Sequence, residues 1–164
     1  MKRQKGFSLI ELLIVVAIIL IIAAIAIPNL LRSKMAANEA SAVGSVRTVN
    51  TAQVTYSSTY GIGYAASLPS LGGLVSPCTA TSTNACLIDP VLSSGTKSGY
   101  TFTSVATLLV GGVNNGFEVE GHPNAIGTTG QRSFCSDQSG VIRFNPAGTT
   151  IAPPCAAVAA VLGN

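Results

Sequence analysis

Only fifteen of the 164 residues carry formal charge, nine Lys or Arg against six Asp or Glu, and hydrophobic residues make up 48% of the chain. Three of the cations, Lys2, Arg3 and Lys5, stand within the first five residues; without them the charges balance, and no basic stripe is left for nucleic acid. Glycine, serine, threonine and alanine dominate the rest, and the stretch beyond Ile27 is long enough for one domain with a modest core but not for two.

The first element is an apolar helix. Leu12 to Ile27 is a run of sixteen residues without a polar side chain, and Phe7 to Ile27 counts 21. At about 1.5 Å per residue, 21 residues span roughly 32 Å, close to the hydrocarbon thickness of a bilayer. The three cations before it hold the N-terminus on the cytoplasmic side, so everything after Pro28 is expected outside. Glu11 interrupts the pattern. A carboxylate in a membrane segment costs about 2.5 to 3.5 kcal/mol at a helix centre and less near the interface, so it calls for a cationic partner or a place at headgroup depth.

Gly6-Phe7-Ser8-Leu9-Ile10-Glu11, behind a short basic leader, resembles the processing signal of the type IV pilin and pseudopilin superfamily. That resemblance implies cleavage by a prepilin peptidase between Gly6 and Phe7 and methylation of the new Phe7 amine. It also implies pairing of Glu11 with the Phe7 amine of a neighbouring subunit, which would make Glu11 the residue that sets assembly register. Pro28 occupies the position at which such pilins also carry a proline, whereas the glycine often found nearer the helix start is replaced by Leu20. Two other readings of the N-terminus are open to the residues. Ala24-Ile25-Ala26 fits a secretory signal cleavage pattern that would release a chain beginning at Ile27, although Glu11 would then sit in the apolar core and Pro28 would follow the cut closely. A plain signal anchor leaves the Gly-Phe-Ser-Leu-Ile-Glu string unexplained.

From Pro28 to about Tyr60 the sequence remains helical in character. Leu31, Met35, Ala42, Val46, Val49 and Val54 make an imperfect apolar stripe, with Arg32, Glu39, Arg47 and Gln53 expected to point elsewhere. Pro28 predicts a bend or a loosened turn. Tyr60-Gly61 ends the helix, and Pro69 to about Ser98 reads as an irregular connection. Four strands are then expected, over residues 99–105, 116–120, 132–135 and 140–144, with Asp137-Gln138-Ser139-Gly140 as a tight hairpin between the last two. The whole is α+β: a long N-terminal helix, transmembrane in its first half and amphipathic in its second, packed on a three- to four-stranded antiparallel sheet. This is also the pilin roll that the resemblance implies. The expected divisions are a leader at 1–6, a membrane or filament-core helix at 7–27, its amphipathic continuation at 28–60 and a stapled globular head at 61–164.

All four cysteines, Cys78, Cys86, Cys135 and Cys155, lie beyond the membrane segment, which suits an oxidising compartment and two disulfides. Of the three connectivities, Cys78 with Cys86 and Cys135 with Cys155 is preferred, because each pair closes a short local loop. Zinc is disfavoured by the absence of any C-x-x-C spacing. Glu118 and Glu120 share a strand face, expected to be exposed. They would be the starting point for a calcium site, but residues 145–164 contain no Asp or Glu to complete a C-terminal acidic loop. The single histidine, His122, is expected in a solvated loop before Pro123, and the apolar tail from Ala156 to Leu162 is expected to pack on the sheet. No nucleophile, metalloprotease or phosphate-loop motif is present, so neither enzyme activity nor a metal or cofactor is expected.

The resulting expectation is a structural subunit: an inner-membrane prepilin that polymerises through its N-terminal helix into a type IV pilus for adhesion or motility. Its implied partners are further copies of itself, a prepilin peptidase, a platform protein and an assembly ATPase. A pseudopilin of a type II secretion system, a minor pilin and a membrane-anchored binding domain that never polymerises are the alternatives.

Overall fold

A computed structural model of the chain describes residues 7–73, 77–158 and 160–162. In chain order the elements are α1 (Leu9–Tyr60), α2 (Leu68–Leu71), α3 (Pro90–Ser93), β1 (Thr96–Lys97), β2 (Tyr100–Val110), β3 (Val113–Pro123), β4 (Ser133–Asp137), β5 (Arg143–Asn145), α4 (Cys155–Val158) and β6 (Ala160–Val161). The chain divides into two units, one ending at Lys34 and the other beginning at Met35.

In the first unit α1 leaves its side chains unburied. Its apolar stretch is long enough to cross a membrane, and none of it is covered by the rest of the chain. The helix continues through Pro28 without interruption.

In the second unit, the residues of α1 that face the core are Glu39, Ala42, Val46, Val49, Gln53 and Tyr56, a strict alternation of three- and four-residue steps. The expected stripe is therefore right at Ala42, Val46 and Val49 and wrong at its ends. Leu31 and Val54 are exposed, while Glu39 and Gln53 turn inward. Gln53 is fully buried because its amide is satisfied on both sides. Its Oε1 accepts from Ala65 N at 2.8 Å, and its Nε2 donates to Ala65 O and Ser104 Oγ at 3.2 Å each. Gly61 ends the helix in the left-handed conformation with φ 66°, its N–H closing on Ser57 O.

The sheet is wholly antiparallel and runs in sequence order, β1 to β6, so it has six strands rather than three or four. Both two-residue edge strands lie where the sequence shows no alternating run. β2 and β3 are eleven residues each, far longer than expected, and meet in a two-residue turn at Gly111-Gly112, with φ 61° and 82°. Two consecutive positive φ values give the turn whose twist matches a hairpin. Leu108, at φ 53°, is a bulge in β2: Thr107 pairs with Gly116 and Leu109 with Asn114, leaving it out of register. The turn at Asp137–Gly140 forms, with Gly140 N on Asp137 O, but β5 starts only at Arg143.

One face of the sheet, through Tyr100, Phe102, Phe117, Val119 and Phe134, shares a core with Val46, Val49 and Tyr56 of α1. The opposite face is covered too. The segment from Thr149 to Cys155 crosses it, and Ile151 and Cys155 bury against Cys135.

Candidate functional site

Three groups of side chains stand out, beginning at the N-terminus. Gly6 lies outside the described residues. Phe7 is exposed, and Ser8 precedes the first helical residue. The Ser8 N–H donates to Glu11 Oε2 at 2.9 Å, and Ser8 O accepts from Leu12 N at 3.3 Å. Ser8 and Glu11 thus have the spacing of a helix capping box, with the carboxylate reaching back to the N-terminal backbone and its charge at the positive end of the helix. This geometry sets the Glu11 carboxylate one turn from the Phe7 backbone, where an amine would arise if the chain were cut after Gly6.

The cysteines come next. Cys78 is bonded to Cys86 and Cys135 to Cys155, with Cα atoms 6.1 and 6.0 Å apart. The second bond ties β4 to the strap of chain that crosses the sheet's outer face.

Buried charge forms the third group, and sequence reasoning missed most of it. Glu39 on α1 accepts from the backbone N–H of Gln131 (2.9 Å) and Arg132 (3.1 Å) and takes a two-pronged contact from Arg132, Nε at 2.9 Å and Nη2 at 2.7 Å. Arg132 in turn lies 5.6 Å from the ring centres of both Phe134 and Phe144. Burial alone would push the Glu39 carboxyl up. The hydrogen bonds from Gln131 and Arg132 and the Arg132 charge outweigh it and hold the group below its ordinary value. The same site raises the Tyr100 hydroxyl, through burial first and the Glu39 charge second, with Arg132 opposing. Tyr100 OH donates to Arg132 O at 2.8 Å, so helix, strand and loop are pinned at one point.

Glu118 and Glu120 do share a face of β3, but that face is under the strap. Glu120 is buried, Glu118 half-buried, and each accepts a backbone N–H from the strap: Ile151 N on Glu120 Oε1 at 3.2 Å, Cys155 N on Glu118 Oε2 at 3.0 Å. His122 is in β3 and not in a loop, with Nδ1 at 3.0 Å from Glu120 Oε1. The expectation of a solvated histidine and an exposed acidic face fails because both presuppose a bare sheet. Within β3 the signal was available: two Glu and a His alternating with apolar residues across eleven residues describe a strand with a polar side that something must satisfy. The tail pairs only weakly, through β6 on β5, and Ala160 and Val161 remain exposed. Among the described residues, no three His, Cys, Asp or Glu side chains come together as a metal-ligand set.

The prokaryotic N-terminal methylation motif matches residues 1–27. Two relatives are major pilins. One is the type IV wide pilus major component PilA4 of Thermus thermophilus, 62% identical over 39 residues, which is 24% of this chain and 30% of that one. The other is the type IV major pilin protein PilA of Myxococcus xanthus, 46% identical over 54 residues, 33% of this chain and 24% of that one. The matched stretch thus spans less than a third of either relative's length. No solved structure matches. An unburied apolar helix behind a basic start, the methylation motif and two pilin relatives together place the chain with the type IV pilins.

Proposed function

We propose that the chain is the major subunit of a type IV pilus, stored in the inner membrane with its N-terminus in the cytoplasm and assembled into a surface filament for adhesion or motility. The reading rests above all on an apolar helix that finds no cover within its own chain while carrying one carboxylate in its first turn. A prepilin peptidase would cut after Gly6, and the Phe7 amine, methylated and still cationic, would become the partner of Glu11 in an adjoining copy. Within an apolar filament core a lone Glu11 would be costly, about 3 to 5 kcal/mol for a buried charge stripped of its partner, so each added subunit is held to one register. Pro28 would sit at the outer end of the core. Lifting the helix out of lipid requires an energy source, hence a platform protein and an assembly ATPase as partners.

Intact mass with N-terminal sequencing, on material sheared from native cells and on the membranes left behind, tests this. A sheared species that begins at methylated Phe7 and is four hydrogens lighter for two disulfides is the expected result. A Phe7 species that stays wholly with the cells favours a pseudopilin or minor subunit, and a chain beginning at Ile27 overturns the filament reading. Glu11→Ala is expected to abolish filaments while membrane insertion persists; filaments of normal yield from that variant would remove the pairing from the mechanism.

A further inference from the structure

The outer edge of β2 is the least finished part of the C-terminal unit. β1 covers only Tyr100 and Thr101, and the Phe102 N–H goes to Gly95 O at 2.7 Å. Beyond Phe102, the described residues supply that edge with no further backbone partner. Because strand backbone groups alternate, the residues that aim N–H and C=O outward after Phe102 are Ser104 and Ala106, up to the bulge at Leu108. The stretch Thr103–Val110 contains no charge and no proline, the usual protections of an exposed edge.

Two features flank this edge. At the far end is the hairpin tip, where Leu108, Leu109 and Val110 are exposed at 60, 70 and 67%. At the near end a groove of about 320 Å³ runs beside the strand, with Leu68, Pro69, Phe102 and Val105 among its walls.

We propose that two copies of this chain join edge to edge through β2, antiparallel about a twofold axis at Val105, each seating its hairpin tip in the other's groove. Register singles out the second copy as occupant. Antiparallel pairing centred on Val105 sets Ser104 opposite Ala106 of the other copy, and the reverse, so all four outward groups on each side find partners. The same register sets Thr107 opposite Thr103 and Leu108 opposite Phe102, which brings an apolar tip to an apolar groove at both ends. The interface is self-complementary, as a twofold contact must be, and no like charges oppose one another. The contact needs neither cleavage after Gly6 nor filament growth.

The centring makes Val105 face its own counterpart in a non-hydrogen-bonded pair, with Cα atoms about 4.5 Å apart, close enough for a disulfide. Full-length Val105→Cys, in mild detergent and in native membranes, is therefore expected to form a covalent dimer of twice the chain mass on gentle oxidation. Ser104→Cys and Ala106→Cys, each alone, are not. Adding Ala106→Pro deletes an outward N–H without touching the ladder to β3, and should lower the Val105→Cys dimer yield by about tenfold or more. A second measurement guards against misfolding: the Ala106→Pro chain must keep both native disulfides by mass mapping, and if it does not, a semisynthetic chain N-methylated at the Ala106 amide replaces it. Absence of the Val105→Cys dimer, a yield unmoved by loss of the Ala106 N–H, or capture of a different protein by the Val105→Cys thiol would each overturn the proposal.

Discussion

The two halves of α1 invert the usual relation between hydrophobicity and burial. From Leu9 to Lys34 the helix is almost wholly apolar and bare; from Met35 to Tyr60 it is mixed in composition, and yet Val46, Val49 and Gln53 are completely enclosed. Burial within a monomer measures what a sequence does for its own fold. Apolar surface left over is committed to a solvent other than water, here lipid or other helices.

The sharpest way to break this contrast is a charge in the enclosed half. Val49→Asp places an uncompensated carboxylate in the core and should cost more than about 4 kcal/mol, enough to unfold the C-terminal unit, read as loss of the near-ultraviolet tyrosine signal in mild detergent. Val16→Ala, in the bare half, should move the same unfolding midpoint by less than about 0.5 kcal/mol. A midpoint that falls equally for both would mean that the two halves share a core.

Gln53→Ala comes next. It leaves the Ala65 N–H and C=O unpaired in the interior and opens a cavity, for a loss of about 3 kcal/mol in chemical denaturation. A loss under about 1 kcal/mol would show the amide to be filler. Glu39→Gln should cost about 2 kcal/mol at neutral pH, as a charged hydrogen-bond acceptor is lost from beside Arg132. Its folded-state carboxyl lies below the ordinary value of 4.5, so the stabilisation is present above that value and is lost as pH falls through the lower, folded-state one. The variant should therefore show a shallower decline on acidification than the parent, and equal declines would remove Glu39 from the acid response.

Features carried by local pattern were legible in the sequence. The apolar span, the helix end at Tyr60-Gly61, the α+β class and the turn at Asp137–Gly140 all follow from spacing within a few residues. Glu39 and Gln53 were not legible because a search for apolar periodicity skips polar residues, even when they fall on the stripe's own three- and four-residue steps. The long hairpin was hidden in part by Gly111-Gly112, a turn signal inside what otherwise reads as one uncharged run. The covered outer face was beyond reach, since the segment that covers it arrives from 31 and 37 residues away to meet Glu120 and Glu118.

Those two carboxylates hold the strap by its main chain. A grip on peptide N–H groups is indifferent to the side chains alongside, so Ala152, Ala156 and Ala157, which face outward, are unconstrained by the attachment itself. The outermost ribbon of the molecule is thus a place where a lineage can alter its appearance, to antibodies or to phage, without loosening what lies beneath.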